Sequence, residues 1–205
     1  MTLDDFSLPV RCIADTQLPT RWGTFRALGF ERSLGRKAET AIALILGNVI
    51  LRAPLVRIHS ECLTGDVFSS HRCDCGEQLN YAMRAIAKEG TGILIYERQE
   101  GRGIGLMAKL NAYELQDGGL DTVEANEHLG FDIDSRDFVL PAKILQFLGV
   151  SRLRLLTNNP QKVTVLKKEG IEVVERLSCE VDASPYALSY LLTKRLKMGH
   201  LLSTV

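Results

Sequence analysis

The chain has 205 residues, of which 45% are hydrophobic and 24% are charged, and its 25 basic and 25 acidic side chains give a formal net charge of zero. This composition is that of an ordinary globular protein and excludes extensive disorder and a fibrous repeat. It supplies no general attraction for nucleic acid or membrane, and no apolar run approaches the roughly 20 residues of a membrane-spanning helix. Because residues 1–6 lack the pattern of a secretory signal, we expect a cytoplasmic enzyme.

The first part of the chain is predicted to be rich in β-strands. Short apolar or alternating runs, separated by glycine, proline and charged residues, occupy residues 23–30, 40–46 and 55–59. After Cys75 the period changes to that of a helix that Gly90 can end. The apolar residues on one face of this helix are Leu79, Ala82, Met83, Ile86 and Ala87. A buried strand is predicted at residues 92–96.

The second half predicts helices at residues 105–116 and 141–148, followed by a strand–helix–strand unit at residues 152–157, 160–169 and 171–174. The strands of such a unit pair in parallel. Leucines from Leu188 to Leu196 predict a closing helix that ends near Gly199. We therefore expect a mixed α/β (α+β) fold in one domain, residues 1–205. Within it we expect an N-terminal extension at residues 1–17 and a helix or a mobile tail at residues 180–205.

Three of the five cysteines, Cys62, Cys73 and Cys75, give the strongest chemical signal. Three thiolates within fourteen residues suit zinc. An open catalytic site keeps three protein ligands, whereas His59 or His71 could complete a closed structural site; three metal-free buried cysteines are a third reading. Zinc at an open site lowers the pKa of its bound water to about 7, so metal-assisted hydrolysis is the first hypothesis. The remaining thiols, Cys12 and Cys179, have no predicted role.

Two segments could bind phosphate. Residues 97–105 follow a predicted strand and open a helix; their three glycines let the backbone approach a ligand, and Arg98 and Arg102 suit phosphate oxygens. The spacing matches neither a P-loop nor a dinucleotide fingerprint, and a plain glycine turn with solvated arginines explains it equally well. The second segment, residues 157–160 with Lys162, is either an anion site or an ordinary helix N-cap. The charged residues 132–137 resemble a solvated surface.

Taken together, these segments resemble the GTP cyclohydrolase II family. The resemblance covers nearly the whole chain from Leu18 onward, in long, ordered and collinear motifs. The matching segments are residues 57–66 (RIHSECLTGD), 72–76 (RCDCG), 98–106 (RQEGRGIGL), 112–117 (AYELQD), 121–126 (DTVEAN), 129–131 (LGF), 136–137 (RD), 155–160 (LLTNNP) and 197–202 (KMGHLL).

The resemblance implies a zinc-dependent hydrolase that opens the guanine ring of GTP, releasing formate and pyrophosphate. Cys62, Cys73 and Cys75 would bind one zinc ion per subunit, and Mg²⁺ would accompany the triphosphate. Catalytic roles fall on Tyr113 beside the opening ring, on Asp134 as general base, and on Arg136 as a nucleophile towards the α-phosphorus or as a source of positive charge. The implied substrate-binding residues are Arg57, Ile58, His59, Ser60, Glu61, Gln78, Glu100, Gly101, Arg102, Thr122, Thr157 and Lys162.

The resemblance also implies a homodimer and leaves alternatives open. Residues 182–191 depart from the Asn-rich stretch common in the family, and Glu97 replaces an apolar residue or histidine, so it either tunes the pocket or points outward. We expect this chain to lack the fused domain that makes dihydroxybutanone phosphate in many relatives. One alternative is a paralogue with a formylated product or a secondary pathway. Another is a non-enzymatic zinc module that binds nucleic acid or protein.

Overall fold

The computed structural model describes residues 10–35, 37–182 and 184–203, and its strands join in one sheet in the order β1-β2-β3-β5-β4-β6-β7. The strands are β1 (Arg11–Thr20), β2 (Gly23–Leu34), β3 (Lys37–Leu46), β4 (Leu55–Ser60), β5 (Gly92–Glu97), β6 (Arg152–Leu156) and β7 (Glu172–Leu177). The helices are α1 (Leu63–Asp66), α2 (Cys75–Glu89), α3 (Leu106–Asp117), α4 (Thr122–His128), α5 (Val139–Phe147), α6 (Pro160–Lys168) and α7 (Leu188–Met198). Short 3-10 turns lie at Glu100–Gly103 and Pro185–Ala187.

The sheet has an antiparallel half and a parallel half. Strands β1, β2, β3 and β5 pair antiparallel, whereas β5, β4, β6 and β7 pair in parallel. Antiparallel neighbours can be joined by a tight turn, whereas parallel ones need a crossover connection. Only Arg21 and Trp22 separate β1 from β2, while helices separate the parallel strands. The mixed α/β fold predicted from the sequence is confirmed.

Helices cover both faces of the parallel half and bury its central strands. Along β5, Ile93 and Ile95 pack in a cluster with α5, whereas Leu94 packs in a second cluster with Met83 and Ile86 of α2. Strands covered on both faces read as continuous apolar runs, which explains why β4 and β5 show no polar alternation. None of the described helices is long and apolar enough to cross a membrane.

Besides the two 3-10 turns, three elements were not predicted: β1, α1 and α4. Strand β1 covers residues 11–17 of the predicted N-terminal extension, whose residues 1–9 lie outside the described part; the strand's residues are almost all exposed, so no core-facing pattern marks it. Helix α4 begins with a capping box, in which the Asp121 side chain accepts from the backbone of Glu124 and the Glu124 side chain accepts from that of Asp121. The spacing of Asp121 and Glu124 in the sequence is typical of a helix N-terminus and could have predicted α4. Helix α7 ends at Gly199 as predicted, with the left-handed φ of 64° that glycine tolerates.

Candidate active site

The candidate site lies where the parallel strands β4, β5 and β6 end. Ser60 and Glu97 are the last residues of β4 and β5 and face each other in register, and Thr157 follows β6 directly. In open α/β sheets, ligands bind outside the carboxyl ends of parallel strands. The loops after these strands therefore bring together segments as far apart in the sequence as Ser60 and Thr157.

The three predicted metal ligands form one cluster. The sulfur atoms of Cys62, Cys73 and Cys75 lie within 4.8 Å of one another, and those of Cys62 and Cys73 are 3.6 Å apart. Tetrahedral zinc with Zn–S bonds of about 2.3 Å places its sulfur ligands about 3.8 Å apart. The donor set and its spacing therefore fit zinc.

Two glycines allow the loops that carry the thiols to meet. A Cβ atom on Gly76 would lie 2.3 Å from the carbonyl oxygen of Gly65, and one on Gly65 would lie 3.1 Å from the sulfur of Cys73. Because real Cβ atoms do not approach a carbonyl oxygen so closely, a side chain at Gly76 would push the loops of Cys62 and Cys75 apart. Close packing of the two loops therefore explains why glycine occupies the last position of the Leu-Thr-Gly and Cys-Asp-Cys-Gly segments.

Neither histidine considered as a fourth ligand joins the thiols. Nε2 of His59 lies 3.1 Å from both carboxylate oxygens of Asp66, and burial lowers the pKa of His59. His71 lies beside Tyr186, with ring centroids 6.5 Å apart. Among the described residues the metal-ligating group contains the three cysteines alone, so the structure does not support a closed site with His59 or His71.

Lys109 was missed by sequence reasoning, although it contacts the thiol cluster directly. Its ammonium lies 3.1 Å from the sulfur of Cys62, 2.9 Å from Oγ1 of Thr64 and 2.8 Å from Oε1 of Glu100. Hydrogen bonds with Cys73 and Cys75, and then the charge of Lys109, lower the pKa of Cys62. The sequence did carry a signal: Lys109 precedes Tyr113 by one helical turn, which places both side chains on the same face of α3.

A first cavity, here called the thiol cavity, opens onto the three cysteines. Tyr113 lines it with its hydroxyl 3.5 Å from Oγ1 of Thr64, and burial raises the pKa of this phenol, so the hydroxyl keeps its proton at neutral pH. The other polar residues that line the thiol cavity are Ser60, Glu61, Gln99, Glu100, Arg102, Lys109, Gln116, Thr122, Asn126, Arg136 and Tyr190.

A second cavity, here called the cationic cavity, adjoins the first. The two share the lining residues Ser60, Cys75, Arg102, Arg136 and Tyr190. Asp74 is the one carboxylate among the described residues that line it, and the cationic side chains that do so are Arg57, Arg102, Arg136, Lys162 and Lys194. Cations that outnumber carboxylates in a buried cavity favour an anionic ligand.

Arg102 points into both cavities from a strained turn. Its φ of 60° lies in the left-handed region that non-glycine residues rarely adopt, and both terminal nitrogens of its guanidinium are buried without a hydrogen-bond partner. Its carbonyl accepts from the backbone of Ser135, which Gly103 approaches closely. The carboxylate of the neighbouring Glu100, predicted to bind substrate, is occupied by Lys109 and by the backbone of Leu63.

Arg136 and Asp134 form a bidentate ion pair. Nε of Arg136 donates to Oδ1 of Asp134 at 2.8 Å and its Nη2 donates to Oδ2 at 2.5 Å. Although burial opposes the shift, the guanidinium lowers the pKa of the Asp134 carboxyl. Burial alone would lower the pKa of Arg136, but the contact with Asp134 outweighs it and raises that pKa. Arg136 is therefore a permanent cation, and Asp134 is an ionised partner that holds it.

Glu97 is buried and faces the site, so the reading in which it points outward is wrong. Its side chain is 1% exposed, and its carboxylate accepts from the hydroxyl of Ser60 at 2.6 Å and from the amide of Gln99 at 2.9 Å. Burial raises the pKa of Glu97, while the charges of Lys162 and Arg136 oppose that shift. Glu97 thus sets the electrostatics beside the cationic cavity.

The predicted site residues converge on these two cavities. Every one of them lines at least one cavity except Ile58 and Asp134. Ile58 is buried, and its carbonyl accepts from the ammonium of Lys162 at 2.8 Å, so it holds that lysine through its backbone. Asp134 lies behind Arg136. Residues that the prediction lacked are Lys109 and, in the C-terminal segment, Tyr190, Lys194 and His200.

These features define a mixed α/β protein in which an open three-thiol site adjoins a cavity lined by five cationic side chains. The sequence model of the family described as GTP cyclohydrolase II matches residues 11–178. This chain therefore belongs to the GTP cyclohydrolase II family, which confirms the resemblance read from its motifs.

Similar proteins include relatives of about the same length as this chain and relatives about twice as long. This chain is 53% identical to GTP cyclohydrolase-2 of Pseudomonas fluorescens over 197 residues, which are 95% of each chain. It is 56% identical to riboflavin biosynthesis protein RibBA of Bacillus cereus over 191 residues, 93% of this chain and 48% of that protein. The chain spans about half the length of the RibBA relatives it matches. The solved structure of RibBX, a two-domain 3,4-dihydroxy-2-butanone 4-phosphate synthase from A. baumannii, gives a TM-score of 0.49 at 16% identity, covering 85% of this chain and 41% of that one.

Proposed function

We propose that this chain is a GTP cyclohydrolase II, which hydrolyses GTP and releases formate and pyrophosphate. The product is 2,5-diamino-6-ribosylamino-4(3H)-pyrimidinone 5′-phosphate, and the reaction is the first step of riboflavin biosynthesis. The observation that carries the proposal is the junction of the thiol cavity with the cationic cavity. A nucleoside triphosphate has a purine at one end and a polyanion at the other, which matches this junction.

The thiol cavity would perform the ring opening. Cys62, Cys73 and Cys75 would hold zinc, which when bound supplies a Lewis acid that activates water near neutral pH. Tyr113 lines this cavity with a protonated hydroxyl and donates a hydrogen bond to the purine as the ring opens. The ammonium of Lys109 keeps Cys62 in its thiolate form.

The cationic cavity would bind the triphosphate and stabilise the departure of pyrophosphate. The permanent charge of Arg136 supports a role in stabilising the phosphoryl transition state, and its high pKa disfavours a nucleophile. Asp134, for which the resemblance implied a general base, is assigned instead to positioning Arg136, because its pKa is low and its carboxylate is engaged in the bidentate contact. Lys162 and Arg57 bind phosphate oxygens. Mg²⁺ on the triphosphate, a homodimer and a cytoplasmic location complete the proposal and rest on the family resemblance.

The test is to incubate the zinc-loaded protein with GTP and Mg²⁺ and to measure formate, pyrophosphate and the nucleotide product by mass spectrometry. Equal amounts of all three are expected. Pyrophosphate with a formylated nucleotide would instead identify the paralogue that keeps the formyl group. No nucleotide turnover, together with retarded DNA or RNA in a gel at physiological salt, would replace the enzyme with a zinc-containing interaction module.

A further inference from the structure

The C-terminal segment forms a wall of the proposed substrate site. Tyr190 of α7 lines both cavities, and Lys194 and His200 line the cationic one. The segment is attached on two sides, because the backbone of Leu201 donates to the carbonyl of Asn158 at 2.9 Å and the ammonium of Lys194 lies 3.0 Å from Oδ1 of Asp74. The C-terminal segment, α7 with the residues that follow it, therefore bridges the loop after β6 and the loop of the thiol ligands.

Lys194 places a buried charge at this wall. Its side chain is 12% exposed and its ammonium lies 4.2 Å from the centroid of the Tyr190 ring, which also faces the guanidinium of Arg102 at 5.4 Å. Asp74 occupies one of the three N–H donors of this ammonium and also accepts from the amide of Gln78 at 2.5 Å. The lysine thus keeps donors for a ligand in the cavity.

The charge balance around Lys194 argues for an anion. Arg136 is paired with Asp134, which lies outside the lining, and the terminal nitrogens of Arg102 have no partner. Asp74 is the one described carboxylate on the lining, against five cations. Burying an excess of positive charge is costly unless an anion enters, and a chain of phosphates presents several acceptors to several donors at once.

We propose that Lys194 of α7 is a further substrate-binding residue, which donates to a phosphate oxygen of the nucleotide in the cationic cavity. This inference rests on the proposed function for the identity of the nucleotide. The competing role is structural: Lys194 could serve only to neutralise Asp74 and so hold α7 against the loop of Cys73 and Cys75. The two roles differ in what happens when Asp74 is neutralised as well.

The experiment compares Lys194→Met with Arg195→Met, which removes an exposed cation from the next position of the same helix. For each variant we measure zinc content, kcat and KM with GTP, and the inhibition constant of inorganic tripolyphosphate. Lys194→Met is expected to raise KM for GTP and the inhibition constant of tripolyphosphate about tenfold, the loss of one charge-assisted hydrogen bond. Arg195→Met is expected to match the wild type, and Lys194→Arg to regain most of the affinity.

The double variant Lys194→Met with Asp74→Asn separates the two roles. If Lys194 binds phosphate, the double variant binds tripolyphosphate about tenfold more weakly than Asp74→Asn alone, while the two proteins have the same zinc content. If pairing with Asp74 is the whole role of Lys194, the double variant binds tripolyphosphate as tightly as Asp74→Asn does, and the proposal fails. The proposal also fails if Lys194→Met has the same KM and inhibition constant as Arg195→Met. Wild-type protein that binds tripolyphosphate through Lys194 without turning over GTP would overturn the proposed function and leave a polyphosphate site.

Discussion

The thiol cavity and the cationic cavity meet at one edge of the sheet, yet they are built in different ways. The three thiols come from a stretch of fourteen residues whose loops meet at Gly65 and Gly76. The cations come from β4, the loop after β5, the loop before α5, α6 and α7, so their cavity exists only when distant elements have packed. The comparison teaches that the thiol cluster is specified locally and the cationic cavity is specified by the fold, so that damage to one should spare the other.

The strongest test of that separation is Cys73→Ser. Removing one thiolate of three is expected to abolish zinc binding and to lower formate release by about a thousandfold or more, since a bound metal contributes several kcal/mol to such a reaction. The cationic cavity has no contact with the sulfur of Cys73, so the affinity for inorganic tripolyphosphate should remain within about twofold of the wild type. Zinc by atomic absorption, formate by enzymatic assay and binding by calorimetry check the three statements.

The matched control is Cys12→Ser, which changes an exposed thiol on β1. It should leave zinc content and turnover unchanged. A Cys73→Ser protein that lacks zinc and still releases formate at the wild-type rate would remove the metal from the reaction. Loss of tripolyphosphate binding in the same variant would show that the two cavities depend on one another.

The second prediction addresses Arg136, which lines both cavities. Arg136→Met is expected to lower turnover of GTP by about 10²- to 10³-fold, as for removal of one preorganised charge at a transition state, with zinc retained. Arg136→Lys should recover part of the rate if the charge is what matters, and none if the guanidinium is a nucleophile. Steady-state kinetics on both variants, with Arg152→Met on the exposed end of β6 as control, decides between these roles.

The same contrast explains what the sequence could predict. The spacing of Cys62, Cys73 and Cys75 predicted the thiol cluster because its ligands are neighbours in the chain. Lys109 and Lys194 escaped prediction, since a lysine on a helix reads as solvated until the neighbouring elements bury it. His59 was considered as a ligand because it adjoins the cysteine segment, but its position on β4 turns its ring towards Asp66.

Most of the fold was predictable for a similar reason. The buried runs of β4 and β5 and the strand–helix–strand unit have strong periodic or apolar signals, whereas β1 is exposed and has none. The strand order could not be read from the sequence, because it depends on the crossovers that place β5 between β3 and β4. The direction in which Glu97 points depends on that order too, since its carboxylate faces Ser60 of the neighbouring strand.

The third prediction tests whether Lys109 supports the three thiols of the thiol cavity. Lys109→Met is expected to weaken zinc binding by about 10- to 100-fold, as for other partners that support a metal ligand, because Cys62 loses the ammonium that stabilises its thiolate. Competition with a chelator measures the affinity, and Lys88→Met, at an exposed position of α2, is the control. Unchanged zinc affinity in Lys109→Met would assign this lysine to packing around Glu100 instead.

The last and smallest effect concerns the charge of the cationic cavity. Burial lowers the pKa of Lys162 to about 7, with Glu97 opposing the shift and Arg57 and Arg136 adding to it. Lys162 is therefore an ammonium below that pH and becomes neutral above it, so KM for GTP should rise about fivefold between pH 6 and 8, the loss of about 1 kcal/mol of charge assistance. Lys162→Arg stays charged and should flatten this rise, while Lys168→Arg on the exposed side of α6 should keep it; comparing variants cancels the titration of the nucleotide itself. If the rise persists in Lys162→Arg, the titrating group is another one, and Glu97, whose pKa burial raises, becomes the residue to change next.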